Sequence, residues 1–105
     1  MPGLSPTQLT LRKLRAEGWT AQVTEHWNPF ARIRQDLFGI VDVLGVGEGG
    51  TIAVQTTSDK NVSARVKKIA DSDNIGAMRD AGWIIHVHGW KKVKNKWVCR
   101  TVDVS

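Results

Sequence analysis

Residues 38–57 read FGIVDVLGVGEGGTIAVQTT, and this stretch decides the fold. Two apolar runs, Phe38 to Val46 and Thr51 to Thr57, flank the turn sequence Gly47-Glu48-Gly49-Gly50, so the segment reads as a β-hairpin. Pairing the arms about that turn sets Val46 opposite Thr51, Leu44 opposite Ala53, Asp42 opposite Gln55 and Thr57 opposite Ile40. Directly opposed side chains share one face, with Cβ atoms roughly 5 Å apart. The other face carries Val41, Val43, Ile52, Val54 and Thr56. A strand pair apolar on both sides belongs in the middle of a covered sheet. A carboxylate there is costly unless it is paired, hydrogen-bonded or holding a metal. Asp42 and its neighbour Gln55 are therefore the first candidates for a functional site.

Outward from the hairpin, the chain alternates helix and strand signals. Upstream, Ser5 is a helix N-cap, Pro6 suits the first helical position and Gln8 completes a capping box. Leu4 and Leu9 stand as a hydrophobic staple, Leu9, Leu11 and Leu14 supply packing surface, and Gly18 can end the helix in a left-handed turn. A strand is expected from Trp19 to about His26, broken by Trp27-Asn28-Pro29-Phe30 and followed by a basic loop from Ala31 to Asp36. Downstream, Ser58-Asp59-Lys60-Asn61 offers caps for a second helix with Val62, Val66, Ile69 and Ala70 as its apolar stripe. Asp71-Ser72-Asp73-Asn74 interrupts that helix, and further helical turns reach Ala81. Gly82-Trp83 stops the helix and feeds a strand to Trp90, and after a lysine-rich turn Trp97 to Val104 forms the last strand. The order αβββαββ predicts one α/β domain over residues 1–105, with a mixed central sheet flanked by helices.

Composition narrows the function classes. A chain of 105 residues with 24% charged and 41% hydrophobic residues makes a single ordered domain. The lone Cys99 has no internal disulfide partner, and no apolar run approaches a membrane span, so a cytoplasmic protein with no membrane partner is expected. Net charge is +5. It is clustered: Arg12, Lys13 and Arg15; Arg32 and Arg34; Arg65, Lys67 and Lys68; and Lys91, Lys92, Lys94 and Lys96. Each cluster alone suits a solvated face, whereas four in so short a chain favour a polyanion such as DNA. Five tryptophans and no tyrosine add a second signal. Trp19 and Trp83 begin strands and read as core, while Trp27 and Trp90, at strand ends near Arg32, Arg34 and Lys91, could stack on unpaired bases or close the rim of the core.

With this order and these residues, the chain resembles the PD-(D/E)XK, or restriction-endonuclease-like, superfamily, specifically its small phage and Holliday-junction-resolvase-like nucleases. That family has an αβββαβ core with an aspartate on its second strand and an acidic-x-Lys triplet on its third. Asp42-Val43-Leu44 sits at the first position and Gln55-Thr56-Thr57 at the second. The segment Asp36-Leu37-Phe38-Gly39-Ile40-Val41-Asp42 is similar to the DLFG-x-x-D stretch of such phage proteins, as is Asn61 to Ile69 after the third strand. The resemblance spans about residues 5–100. It implies Mg²⁺ or Mn²⁺ held by carboxylates, DNA as partner, and phosphodiester hydrolysis of DNA, branched DNA included. It also allows a homodimer, because junction-cutting relatives must cut two strands.

The chain departs from that pattern at two positions. Gln55 offers a metal only a neutral carbonyl oxygen, and Thr57 cannot replace an ammonium. Asp36 folding back, or Glu25 from the first strand, would restore a second carboxylate, and Lys67 or Lys68 would supply the cation. The expected catalytic set is thus Asp42, Gln55, Thr57, Asp36, Lys67 and Lys68, with Asp42, Gln55 and Asp36 as metal ligands. Expected DNA contacts are Arg32, Arg34, Arg65, Lys91, Lys92, Lys94, Lys96, Trp27 and Trp90. His86-x-His88 has a spacing that zinc accepts, but no third Cys or His accompanies it. Two rival readings stand beside the nuclease: a catalytically silent DNA-binding module of the same fold, and an interaction subunit of a phage or bacterial assembly.

Overall fold

The computed structural model describes residues 4–105. Helix α1 (Pro6–Ala16) begins as its sequence requires: the Ser5 hydroxyl accepts a hydrogen bond from the Gln8 backbone N–H at 3.2 Å. Gly18 turns the chain with φ +96° into β1 (Thr20–Val23). Strands β4 (Val43–Gly47) and β5 (Gly50–Ser58) form the hairpin. They pair Val43 with Val54, Leu44 with Ala53 and Val46 with Thr51, the register that the glycine turn dictates. Gly45, Gly47 and Gly49 of this hairpin lie under Trp19: a Cβ on Gly47 would stand 3.2 Å from the indole. The glycines thus make room for a ring and are not a phosphate cradle.

A 3₁₀ turn (Asp59–Asn61), α2 (Val62–Ala70) and α3 (Ile75–Asp80) carry the chain from β5 to β6 (Ile84–Val93), which β7 (Lys96–Asp103) follows. The five-stranded sheet has the order β1-β4-β5-β6-β7, with β5 and β6 parallel and the other neighbours antiparallel. This is the α/β mixed sheet expected from the order of elements. Alternation along β5 splits the core in two. Ile52 and Val54 meet Leu11 and Leu14 of α1 on one face. Ala53 on the other face meets Val62, Ile69, Ile75 and Met78 of α2 and α3. Gly89 of β6 lets the 3₁₀ turn close on the sheet, since a Cβ there would lie 2.2 Å from Val62 Cγ2 and 3.1 Å from the Asp59 backbone. No helix among the described residues is long and apolar enough to cross a membrane.

Three expectations need correction. The segment from Trp27 to Asp36 is not a break and a loop but a small antiparallel arm, β2 (His26–Asn28) and β3 (Ile33–Gln35), outside the main sheet. The Asn28 side-chain oxygen accepts from the Phe30 and Ala31 N–H groups and shapes its tip. Second, the first hairpin arm does not run as a strand from Phe38. Phe38 (φ 55°) and Gly39 (φ 76°) are left-handed, and a bridge between Leu37 and Val41 closes a tight reversal before β4 begins. Val41 therefore packs on the α2–α3 side while Val43 packs toward α1, and Ile40 sits in the turn rather than on a strand opposite Thr57. Third, Trp90 is only 8% exposed, and its indole N–H donates to Thr10 Oγ1 on α1 at 2.9 Å. A ring so held cannot stack on a base; Trp90 is core.

Candidate metal centre

Two consecutive reversals assemble a group of carboxylates. In the arm, His26 pairs with Gln35 and Trp27 with Arg34, so one further step sets Glu25 against Asp36. In the turn that follows, Leu37 bridges Val41, so one step outward sets Asp36 against Asp42. Thr24 pins the end of β1 to the same place, its N–H on the Asp42 carbonyl and its hydroxyl on that of Val41, each at 2.8 Å. Glu25, Asp36 and Asp42 each bring an oxygen within 4.8 Å of the others.

Asp42 is the innermost, 4% exposed. One of its oxygens accepts from the Thr56 N–H at 2.8 Å, the Thr56 hydroxyl at 3.1 Å and the Gln55 amide nitrogen. Thr56 in turn meets Thr7 of α1, hydroxyl to hydroxyl at 2.9 Å. Burial is the main reason that the Asp42 carboxyl is pushed up to about 6, and the neighbouring Asp36 raises it further, while the Thr56 N–H pulls the other way. Three acidic side chains so close share a site comfortably only with a proton or a cation between them.

The donor set suits a hard cation. Carboxylate oxygens are what Mg²⁺, Mn²⁺ and Ca²⁺ select, and adjacent oxygens on one Mg²⁺ stand about 3 Å apart, so the three side chains, within 4.8 Å of one another, close by a rotamer adjustment of about one to two ångströms at most. The acidic cluster, buried at Asp42 and half-buried at Glu25 and Asp36, can hold a metal ion. It opens into a cleft of about 580 Å³ lined also by Thr56, Thr57, Arg34, Arg65 and Lys68. Lys68 Nζ is 3.7 Å from Asp36 and Arg34 is 3.3 Å from Glu25, so cations ring the carboxylates at the surface while Asp42 stays inside.

The remaining expected site residues fall as follows. Gln55 is buried, turns its nitrogen to Asp42 and leaves its amide oxygen without a hydrogen-bond partner; it does not line the cleft, so it supports Asp42 instead of offering an oxygen to a metal. Lys67 points away, paired with Asp71 at 2.7 Å on the exposed side of α2, which leaves Lys68 and Arg65 as the α2 cations at the cleft. Arg32 is exposed at the tip of the arm. Lys91 and Lys92 on β6, Lys94 in the turn and Lys96 on β7 are exposed on a ribbon that runs on past Ser58, the end of β5. Left-handed Lys94 and Asn95 make its two-residue turn. Asp42 lies at that same end of the sheet, so the lysine ribbon projects from the edge on which the cleft opens. Among the described residues His86 and His88 belong to no group of three metal-ligating side chains: His86 lies 3.7 Å from Asp103, and His88 Nδ1 is bound to Thr10 Oγ1 at 3.0 Å. Thr56, which the sequence reading passed over, is the residue that holds Asp42; only its place one step from Gln55 on the partner strand hinted at it.

No family model, no curated protein and no solved structure matches this chain.

Proposed function

We propose that the protein is a metal-dependent DNA endonuclease of restriction-endonuclease-like architecture. The observation that carries this reading is the convergence of Glu25, Asp36 and Asp42 with Arg34, Arg65 and Lys68 in one open cleft. Carboxylates alone would repel a phosphodiester, and cations alone would bind it without turning it over. A bound Mg²⁺ or Mn²⁺ would supply Lewis acidity and an acidified water. Glu25, Asp36 and Asp42 would hold that ion, with Asp42 fixed in orientation by Thr56 and Gln55. Lys68 takes the role for which Thr57 is unsuited, an ammonium beside the charge that builds on the phosphate, and Arg65 and Arg34 position the strand. The basic ribbon from Lys91 to Lys96 adds backbone contacts beyond the cleft.

Linear, flapped and junction DNA incubated with the protein in Mg²⁺ or Mn²⁺ test the reading. Cleavage should require the metal and disappear in Asp42→Ala. It should fall by roughly 100-fold in Lys68→Ala and stay near the parent level in Lys67→Ala. Cleavage that survives Asp42→Ala, or that proceeds in chelator, sinks the assignment. Tight, salt-sensitive binding without cleavage of any substrate would instead mark a silent DNA-binding module.

A further inference from the structure

The β2–β3 arm exposes apolar side chains that the rest of the chain leaves uncovered. Trp27 is 57% exposed, Phe30 98% and Ile33 51%. A two-stranded ribbon with three-residue strands gains little stability from such residues, so their exposure is a cost without a folding return. The register says where they face. Trp27 pairs with Arg34, and the adjacent pair on that face is Glu25 with Asp36. One side of the arm therefore presents an indole and a guanidinium directly outward from two of the three carboxylates. The 3.3 Å contact between Arg34 and Glu25 puts Arg34 over that face, and Arg34 lines the cleft. Along a strand, alternate residues stand roughly 7 Å apart. A flat group resting on Trp27 is thus held two residues along the strand from Glu25.

We propose that the arm is a stacking platform for an unpaired nucleotide, and that the preferred substrate is DNA with a single-stranded segment entering the cleft. The inference rests on the nuclease reading for its account of what happens at the carboxylates, but the platform itself is a binding device. A tryptophan face accepts any base, and the neighbouring guanidinium takes the phosphate that follows it. Within a continuous duplex the bases are already stacked and the ring finds no partner. Charge favours this occupant: between Trp27 and Gln35 the arm carries Arg32 and Arg34 and no acidic residue. Phe30, at the tip shaped by Asn28, is 98% exposed and offers a second ring on the same arm.

The test reads binding without catalysis. Fluorescence anisotropy in chelator compares a labelled single-stranded oligonucleotide, a tailed duplex and a blunt duplex. The parent protein should bind the first two more tightly than the third. Trp27→Ala should lose roughly 10-fold or more on the unpaired substrates and little on the blunt duplex, with the slope of affinity against salt unchanged because the ring carries no charge. Trp27→Phe should keep most of the affinity, and Phe30→Ala should lose less in the same direction. Both side chains are exposed enough that the fold is not at stake, which a thermal melt checks. Equal parent affinity for all three DNAs overturns the proposal, as does a Trp27→Ala loss that is the same on each. So does a dimer in light scattering that Trp27→Ala splits while DNA binding stays unchanged, since the arm would then pair copies of the chain. Trp27-dependent binding in a protein that cuts nothing would defeat the nuclease reading alone, and metal-dependent cutting indifferent to Trp27 would defeat the platform alone.

Discussion

Replacing Asp42 by asparagine separates the electrostatic cost of the site from its packing. Asparagine keeps the shape, its oxygen can still accept from the Thr56 N–H and Gln55, and its nitrogen can donate to Asp36. In the parent, burial pushes the carboxyl up to about 6 from the 3.8 of the unfolded chain. The folded protein thus holds this proton more tightly than the unfolded chain. Below about pH 4 both states are protonated and the group costs nothing; as pH rises through about 6 the folded state must ionise it in a buried place. The rise from 3.8 to about 6 is worth about 3 kcal/mol. Without added metal, Asp42→Asn should match the parent near pH 4 and exceed it by up to about 3 kcal/mol near pH 8, on the order of 10 °C in Tm for a domain of this size. Added Mn²⁺ at about 1,000 times its Kd should then reverse the order, because an ion bound only by the folded parent stabilises it by about 4.1 kcal/mol at that concentration. Urea melts of both proteins at several pH values, with and without Mn²⁺, give the numbers. A variant no more stable than the parent above pH 6, or one that Mn²⁺ stabilises as much as the parent, would refute the reasoning.

His88 should act in the opposite sense over nearly the same range. Burial, with the charges of His86 and Lys13, lowers it to about 4 from 6.5, so its neutral form stabilises the fold at neutral pH and that contribution is lost as pH falls from about 6.5 toward 4. His88→Gln should remove about 3 kcal/mol of acid sensitivity; an unchanged difference between pH 4 and 7 in urea melts would contradict this. The parent's own profile should look deceptively flat between these limits, since Asp42 and His88 offset each other. Gly89→Ala should destabilise by about 1–3 kcal/mol or more, because the new methyl has to displace Val62 and the backbone at Asp59. Denaturant melts that place it level with the parent would mean that the 3₁₀ turn does not pack where described.

The hairpin was readable because period-two alternation and a glycine turn both point to one register, and β4–β5 keeps it. The folding back of Asp36 was only half readable. Its spacing from Asp42 allowed it, but the reversal depends on Phe38, a non-glycine residue in a left-handed conformation that no local rule favours. The arm was hidden for a different reason: three-residue strands are too short to show alternation, and Pro29 reads as an end to structure. Trp90 and His88 look like strand residues of unknown facing, and only the docking of α1 across the sheet, with Thr10 between them, shows that they are interior. Local chemistry in the sequence names the acids and the cations of the cleft; which cation faces in, Lys68 and not Lys67, is decided by the phase of α2 against the sheet.

The two reversals between Glu25 and Asp42 make the centre a matter of counting. All three carboxylates lie on one short stretch of chain, each brought to the next by a hairpin whose register is set by how many residues it contains. Adding or removing one residue between Leu37 and Val41 would swing Asp36 to the opposite side of its neighbours. Lengthening the arm beyond the pairing of Asn28 with Ile33 leaves Glu25 and Asp36 in step. Descendants of this sequence are thus free to vary the tip in length and composition. The turn beneath it is bound in number, and at left-handed Gly39 and buried Ile40 in identity as well.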